Sequence, residues 1–253
     1  MKDLRSVVKV DWKKKNSEWR ADLLLAEKGG FERLTLSPGR EFSLELVDER
    51  RCTGYAPAPG ERAPCPEFRK ISSGSQCPEC RGKDIYSDYV RGDTQNGLDG
   101  ELSVYMAQIS DNVKVGVTRS ENVPKRWIEQ GADYAAEILS GLENRVALEN
   151  ESDISSRGIA ERVRKDSKIP AASGSGKLEA AMEEEGFEAE IVDVQKLTVY
   201  PELSTDKLFR SGRFEGELES VKGQIISNGK LALALTSGKV LKKPEQRGLS
   251  DFG

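Results

Sequence analysis

Cys52, Cys65, Cys77 and Cys80 are all the cysteines of this chain, and they fall in one segment that ends in the motif CPEC. From Arg51 to about Lys83 that segment is rich in proline and glycine and shows no apolar periodicity, so something other than an apolar core must hold it. A CxxC pair sets two thiolates on a tight turn at the bite distance of one tetrahedral ion, and two further sulfurs close the shell; zinc is its natural occupant. Cys52 and Cys65 stand further apart than in a regular zinc ribbon. Two other states compete: a pair of disulfides, disfavoured in a chain without an export signal, and reduced buried thiols. A closed shell would make the zinc structural, because a catalytic ion keeps one position for water.

The chain has 253 residues, enough for one large domain or two to three small ones. Apolar residues at 36 % and charged residues at 32 % describe a globular protein. No apolar run approaches the roughly 18 residues of a membrane span, and the start, MKDLRSVVKVDWKKK, lacks the apolar block of a secretory signal. The expectation is a cytoplasmic protein with no membrane partner. A net charge of −4 argues against wholesale wrapping of nucleic acid, yet leaves room for a local basic patch. There is no histidine, so any mechanism that needs an imidazole is excluded for this chain.

Four regions follow from the patterning, and together they predict an α+β chain. Residues 1–50 read as a β meander, with SVVKVDW, WRADLLLA, FERLTL and FSLELV separated by turn chemistry. Lys13, Lys14 and Lys15 sit at its first turn, as a solvated loop or as a phosphate contact. Residues 51–100 hold the cysteines and a loop, DIYSDYVRGDTQNGLDG at 84–100; residues 101–170 form a small mixed α/β unit; residues 171–253 hold a short helix and a β-rich tail. KIPAASGSGK after Lys165 reads as a linker, since its GSGK lacks the spacing of a phosphate-binding loop. LEAAMEEEGF is a helix ended by Gly186; alternation returns in AEIVDVQKLTVY and in VKGQIISNGKLALALTSGKVL, where Asn228-Gly229 signals a hairpin. Both ends are β-rich and can pair with each other.

The middle region carries the chemistry. In SVYMAQISDNVKVGVTR, strand alternation puts Leu102, Val104 and Met106 on one face, with Val113, Val115 and Val117 on the matching face of the next strand. Opposite lie Tyr105, Lys114, Thr118 and Gly116, the last small enough for a backbone or phosphate to come close. Asn122 and Pro124 open a helix on which Arg126 and Gln130 share a face. Ala132 to Leu139 reads as a third strand, and ENRVALENESDISS as a helix on which Glu151 lies in the arc of Ala147, Leu148 and Ile154 while Glu149 points away. A carboxylate on an apolar arc demands a partner.

Tyrosine on one strand, glycine on the next, arginine on a helix and glutamate on a later helix resemble the GIY-YIG nuclease fold over residues 102–166. SVY at 103–105 stands in the GIY place, KVG at 114–116 in the YIG place, and Thr118 in the place of a frequent threonine. The resemblance implies that Tyr105 acts near the attacking water, that Arg126 neutralises the phosphate, and that Glu151 holds a divalent Mg2+ or Mn2+. Two positions depart from the pattern: Lys114 replaces the second tyrosine, and Gln130 stands where a histidine is common. Over nearly the whole chain, CTGY, SVYMA, KVGVTR, RW, EQGAD and a tail with VKG resemble the archaeal domain-of-unknown-function family 2797. That family brings no settled activity.

The leading expectation is a zinc-containing protein that binds RNA or DNA through a degenerate nuclease-like domain. Lys114, Gly116, Thr118, Arg119, Lys125 and Gln130 would meet the nucleic acid, with Trp127 either a stacking surface or plain core. Two other readings stay open: an active metal-dependent endonuclease built on Tyr105, Arg126 and Glu151, and an assembly factor whose partner is a protein or the ribosome.

Overall fold

The structure, a computed structural model, describes residues 4–87 and 100–242. Most of the loop expected at 84–100 therefore lies outside the described residues. Strands β1 (Arg5–Lys15), β2 (Glu18–Glu27) and β3 (Gly30–Leu36) form an antiparallel meander. Asn16 and Ser17, both at positive φ (51° and 71°), make the two-residue turn between β1 and β2, the geometry whose twist matches the flanking strands. Lys13, Lys14 and Lys15 are exposed beside that turn, and Lys13 reaches Asp22 at 3.2 Å.

The fourth strand departs from the meander. β4 (Glu41–Arg50) pairs on one side with β10 (Gly212–Glu217) and on the other with β14 (Lys239–Lys242), which lies between β4 and β1. A strand next to β3 would have left Val240, Leu241 and Phe214 without cover; in the observed order all three are buried at 1 % exposure or less. The six-stranded sheet thus joins both ends of the described chain, and its core is built on Trp12, Leu23, Leu25, Leu46 and Phe214.

A second, small sheet holds β9 (Leu208–Phe209), β11 (Ser220–Lys222), β12 (Ile225–Ser227) and β13 (Ala232–Ala234). The hairpin at Asn228 is stabilised by its own side chain, whose Oδ1 accepts the N–H groups of Lys230 (3.1 Å) and Leu231 (3.0 Å). The alternation at 189–200 does not become a long strand: β8 (Val192–Asp193) is short, the chain then turns, and Thr198 makes a single bridge with Trp19. Asp193 Oδ1 accepts the N–H of Gln195 at 3.2 Å, and that local bond competes with strand pairing.

The central sheet runs β6 (Asn112–Arg119), β5 (Leu102–Ile109), β7 (Tyr134–Leu142), β8 and is antiparallel throughout. Every residue of β5 is buried. Leu102, Val104 and Met106 pack with Val115 and Ala136 on helices α3 (Asn144–Ser156) and α4 (Gly176–Glu185). Tyr105, Ala107 and Ile109 pack instead on helix α2 (Val123–Gln130) and the core of the six-stranded sheet. The face expected to be polar is therefore covered along β5 and open only beyond its edge with β6. Ile169, in the segment read as a linker, is buried against Leu203, Ile225 and Ala232, so 168–175 is packed chain; Gly174 O accepts from Gln108 Nε2 at 2.9 Å.

One buried ion pair ties the small sheet to the central one. Lys222 Nζ lies 2.5 Å from Asp133 Oδ1, with both side chains under 10 % exposed, and Asp133 Oδ2 also accepts the N–H of Ser110 at 2.7 Å. Removing the lysine leaves a buried carboxylate short of its counter-charge. Lys222→Ala is expected to lose about 3 kcal/mol of stability in urea titration, while Lys13→Ala, at an exposed pair, stays within about 0.5 kcal/mol of the parent.

Candidate functional site

A cleft of about 450 Å3 opens where β5 and β6 meet α2 and α3, and Tyr105, Arg126 and Glu151 all line it. Tyr105 sits directly across from Gly116 in the β5–β6 register. A Cβ on Gly116 would stand 2.5 Å from the Tyr105 hydroxyl and 2.6 Å from Cζ, so the ring occupies the space any side chain would need. Arg126 and Gln130, which share a helical face, stand beside the hydroxyl in this cleft, and Gln130 Oε1 is buried there without a hydrogen-bond partner among the described residues. Burial pushes the phenol up to about 12, against the opposing pull of Arg126. It is a neutral group near neutral pH.

Lys114 reaches the same cleft from β6. Its Nζ donates to the carbonyl of Glu161 at 2.7 Å and lies 5.8 Å from the centre of the Tyr105 ring. Burial, then the guanidinium of Arg126, brings its pKa down to about 8. Residues near Ala160 run beside β6, with Val115 N–H donating to Ala160 O at 3.0 Å, and this bridging brings Glu161 and Arg162 to the rim. Glu151 comes from α3, half-buried, and the nearby backbone N–H of Val117 favours its charged form. Burial raises its pKa, and Glu161 adds to that direction. Lys168 completes the lining; burial, then the neighbouring Lys165, brings it to about 8.

A second cleft, of about 540 Å3, adjoins the first and shares Val117 and Arg126 with it. Thr118, Arg119, Asn122 and Lys125 line one side, and Pro59, Gly60 and Tyr86 of the cysteine segment line another. The sequence-predicted residues thus divide. Lys114, Gly116 and Gln130 join Tyr105, Arg126 and Glu151 in the first cleft, whereas Thr118, Arg119 and Lys125 lie in the second. Trp127 is 5 % exposed within the main core, so it offers no stacking surface. Sequence reasoning missed Lys168, Glu161 and Arg162: they come from an irregular stretch where no period ties a residue to a face, and the only signal was the cluster of charges from 161 to 168.

The four cysteines form one cluster. Their Sγ atoms lie within 4.8 Å of one another, all four residues are buried, and none is in a disulfide. Zinc–thiolate bonds of about 2.3 Å put tetrahedral sulfurs about 3.8 Å apart, so the set fits one such ion. Cys77 N–H donates to Cys52 Sγ at 3.2 Å, the kind of bond that orients a ligating sulfur. Helix α1 (Pro78–Lys83) carries Cys80, and a Cβ on Gly54 would come within 2.1 Å of Ala63 O, which shows how tightly this apolar-poor segment is folded. Among the described residues, Tyr55 and Ile71 are the partly buried hydrophobics packed against the cluster. It can hold a metal ion.

Among known proteins, the family model described as "Protein of unknown function (DUF2797)" matches residues 39–230. No curated protein and no solved structure matches the chain.

The contact between Gly116 and Tyr105 has a measurable consequence. Gly116→Ala is expected to cost about 1–3 kcal/mol through overpacking, and the cost shrinks in a Tyr105→Ala background, where the space is free. Equal losses in both backgrounds, read by thermal unfolding, would place the strain elsewhere.

Proposed function

The chain belongs to the DUF2797 family, whose description assigns no activity, and from that premise we propose that it is a zinc-containing nucleic-acid-binding protein whose central cleft contacts phosphates. The observation that carries this reading is the charge of the cleft. Lys114, Arg126 and Lys168 line it with Glu151, while Glu161 and Arg162 are exposed. Such a surplus of positive charge suits a phosphodiester, and guanidinium and ammonium donors are what position a backbone. The adjoining cleft lies on the far side of Arg126 and lengthens the surface beyond one nucleotide, although there Arg119 pairs with Glu121 at 3.9 Å, Lys125 with Asp11 at 3.9 Å, and Glu129 joins the lining.

The cysteine cluster supports zinc as a structural ion. Its four sulfurs leave no protein-free position, and the segment they hold supplies Pro59, Gly60 and Tyr86 to the second cleft. Zinc would therefore shape one wall of the binding surface.

The resemblance of residues 102–166 to GIY-YIG nucleases suggests that the domain is a degenerate relative of those enzymes. Lys114 and Gln130 take the places of two groups that move protons, and supply hydrogen-bond donors instead. A second reading, an active endonuclease, is favoured by Glu151 itself, a carboxylate standing within the cationic cleft. Glu151 is the residue that would hold Mg2+ or Mn2+, an ion that stabilises charge developing on a phosphoryl oxygen. Tyr105, kept neutral, would then hydrogen-bond a nucleophilic water, and Arg126 would hold the phosphate.

Three measurements separate these readings. A structured RNA or a branched DNA is expected to bind at low salt, to bind at least tenfold more weakly to Arg126→Ala, and to be released as salt rises. Failure of both nucleic acids to bind at low salt would sink the phosphate reading. Products that form with Mn2+ and vanish in Glu151→Ala would establish the enzyme; binding without products supports the degenerate domain. Elemental analysis is expected to give one zinc per chain, lost in Cys77→Ser together with the order of residues 51–87 by hydrogen exchange.

A further inference from the structure

Lys168 belongs to no motif, yet it is half-buried and lines the first cleft opposite residues of β5 and β6. Its Nζ donates to the main-chain oxygen of Gln130, the last residue of α2. Lys114 is held in the same manner, by the main-chain oxygen of Glu161. Among the described residues neither ammonium makes an ion pair, although Lys114 is only 6 % exposed. Each has three N–H donors and uses one on a carbonyl. Ammoniums withdrawn from water without a counter-charge are costly, and such groups are ordinarily paired or neutral. Two of them lining one cleft is an arrangement that an anion would complete.

We propose that Lys168 and Lys114 form a two-lysine cradle for one phosphate group, distinct in its chemistry from the guanidinium of Arg126 and occupied only while both lysines carry their protons. This rests on the phosphate-binding reading above and names the residues that make it dependent on pH. The groups that act on Lys114 are Arg126, Glu151, Glu161 and Arg162; those on Lys168 are Lys165, Lys114, Lys222 and Arg126. Burial acts first on both; around Lys168 every one of these groups is a cation, while around Lys114 two cations are set against two carboxylates, and both lysines are brought down to about 8, well below an ordinary lysine. A bound dianion acts against that lowering. Binding is therefore full below about pH 8 and fades above it, where a site made of arginine alone would not change.

The test uses the full chain and two probes. Inorganic pyrophosphate, followed by thermal shift and calorimetry, reports on the first cleft, where the Lys168 variants isolate the cradle's share; a fluorescent single-stranded oligonucleotide reports on the whole surface. The parent is expected to bind pyrophosphate at pH 7 and to lose about tenfold in affinity by pH 9. Lys168→Gln is expected to bind it about tenfold more weakly at pH 7 and to show a shallower pH dependence, with Lys168→Arg restoring binding at pH 7 and losing less of it by pH 9, where Lys114 alone still titrates. An unchanged melting temperature of Lys168→Gln without ligand certifies its fold. Lys168→Arg serves the same comparison if the glutamine variant is unstable. Pyrophosphate affinity that is flat from pH 7 to 9, equal in parent and variants, or absent in the parent would overturn the cradle. Pyrophosphate binding with these signatures but without oligonucleotide binding would leave the cradle standing and sink the nucleic-acid reading instead.

Discussion

Strand β5 has no side that meets water, and most of the molecule follows from that constraint. A strand buried on both faces needs two separate covers. Helices α3 and α4 supply one; α2 and the six-stranded sheet supply the other. Tyr105, whose polar tip must find a partner when its ring is buried, then has one exit, past the edge of β6 toward Arg126 and Gln130. Gly116 keeps that exit open because a Cβ there would overlap the hydroxyl. The cleft is where the second cover stops.

Its electrostatics have an uncommon source. Lys114 and Lys168 are held in place by main-chain carbonyls, from Glu161 and from the end of α2, rather than by carboxylates. A carbonyl dipole can position an ammonium without neutralising it. Among the described residues no carboxylate pairs directly with either ammonium, whereas Lys222, as buried as Lys114, is paired with Asp133 and joins two sheets. The two kinds of buried lysine are told apart by what accepts their proton, and only one kind leaves charge for a ligand.

How much of this could be read from the chain follows the range of the forces involved. The β5–β6 hairpin, the strand after Gly131 and the helix carrying Glu151 were legible, because alternation and helical arcs are local and the apolar positions obey them. The cysteine cluster was legible because few chemistries gather four thiols in so short a segment. The place of β14 between β1 and β4 was not, since strand order in a sheet joined by distant segments leaves no local mark. AEIVDVQKLTVY has strand alternation but turns after Asp193, whose side chain offers the backbone a nearer partner. Lys168 was hidden by its setting: a short irregular stretch takes its direction from Ile169 packing into a distant core, and no spacing in the sequence encodes that.

The replacements at 114 and 130 act in one direction. In the resemblance to GIY-YIG nucleases a phenol and an imidazole stand at these positions, groups suited to exchanging a proton during reaction. Here the pair is a lysine and a glutamine, and Gln130 has no titratable proton to exchange. Both still donate hydrogen bonds, and the lysine adds a positive charge within about a side chain's length of Tyr105. Burial raises both the Tyr105 phenol and the Glu151 carboxyl, and in the proposed reading the cleft then favours holding an anion over activating water. Affinity for a phosphate and turnover of its ester place opposed demands on the same few side chains, because a ground state bound too well raises the barrier that follows. In the proposed reading the residues of this cleft lie on the side of affinity, and Glu151 is the group through which catalysis would enter.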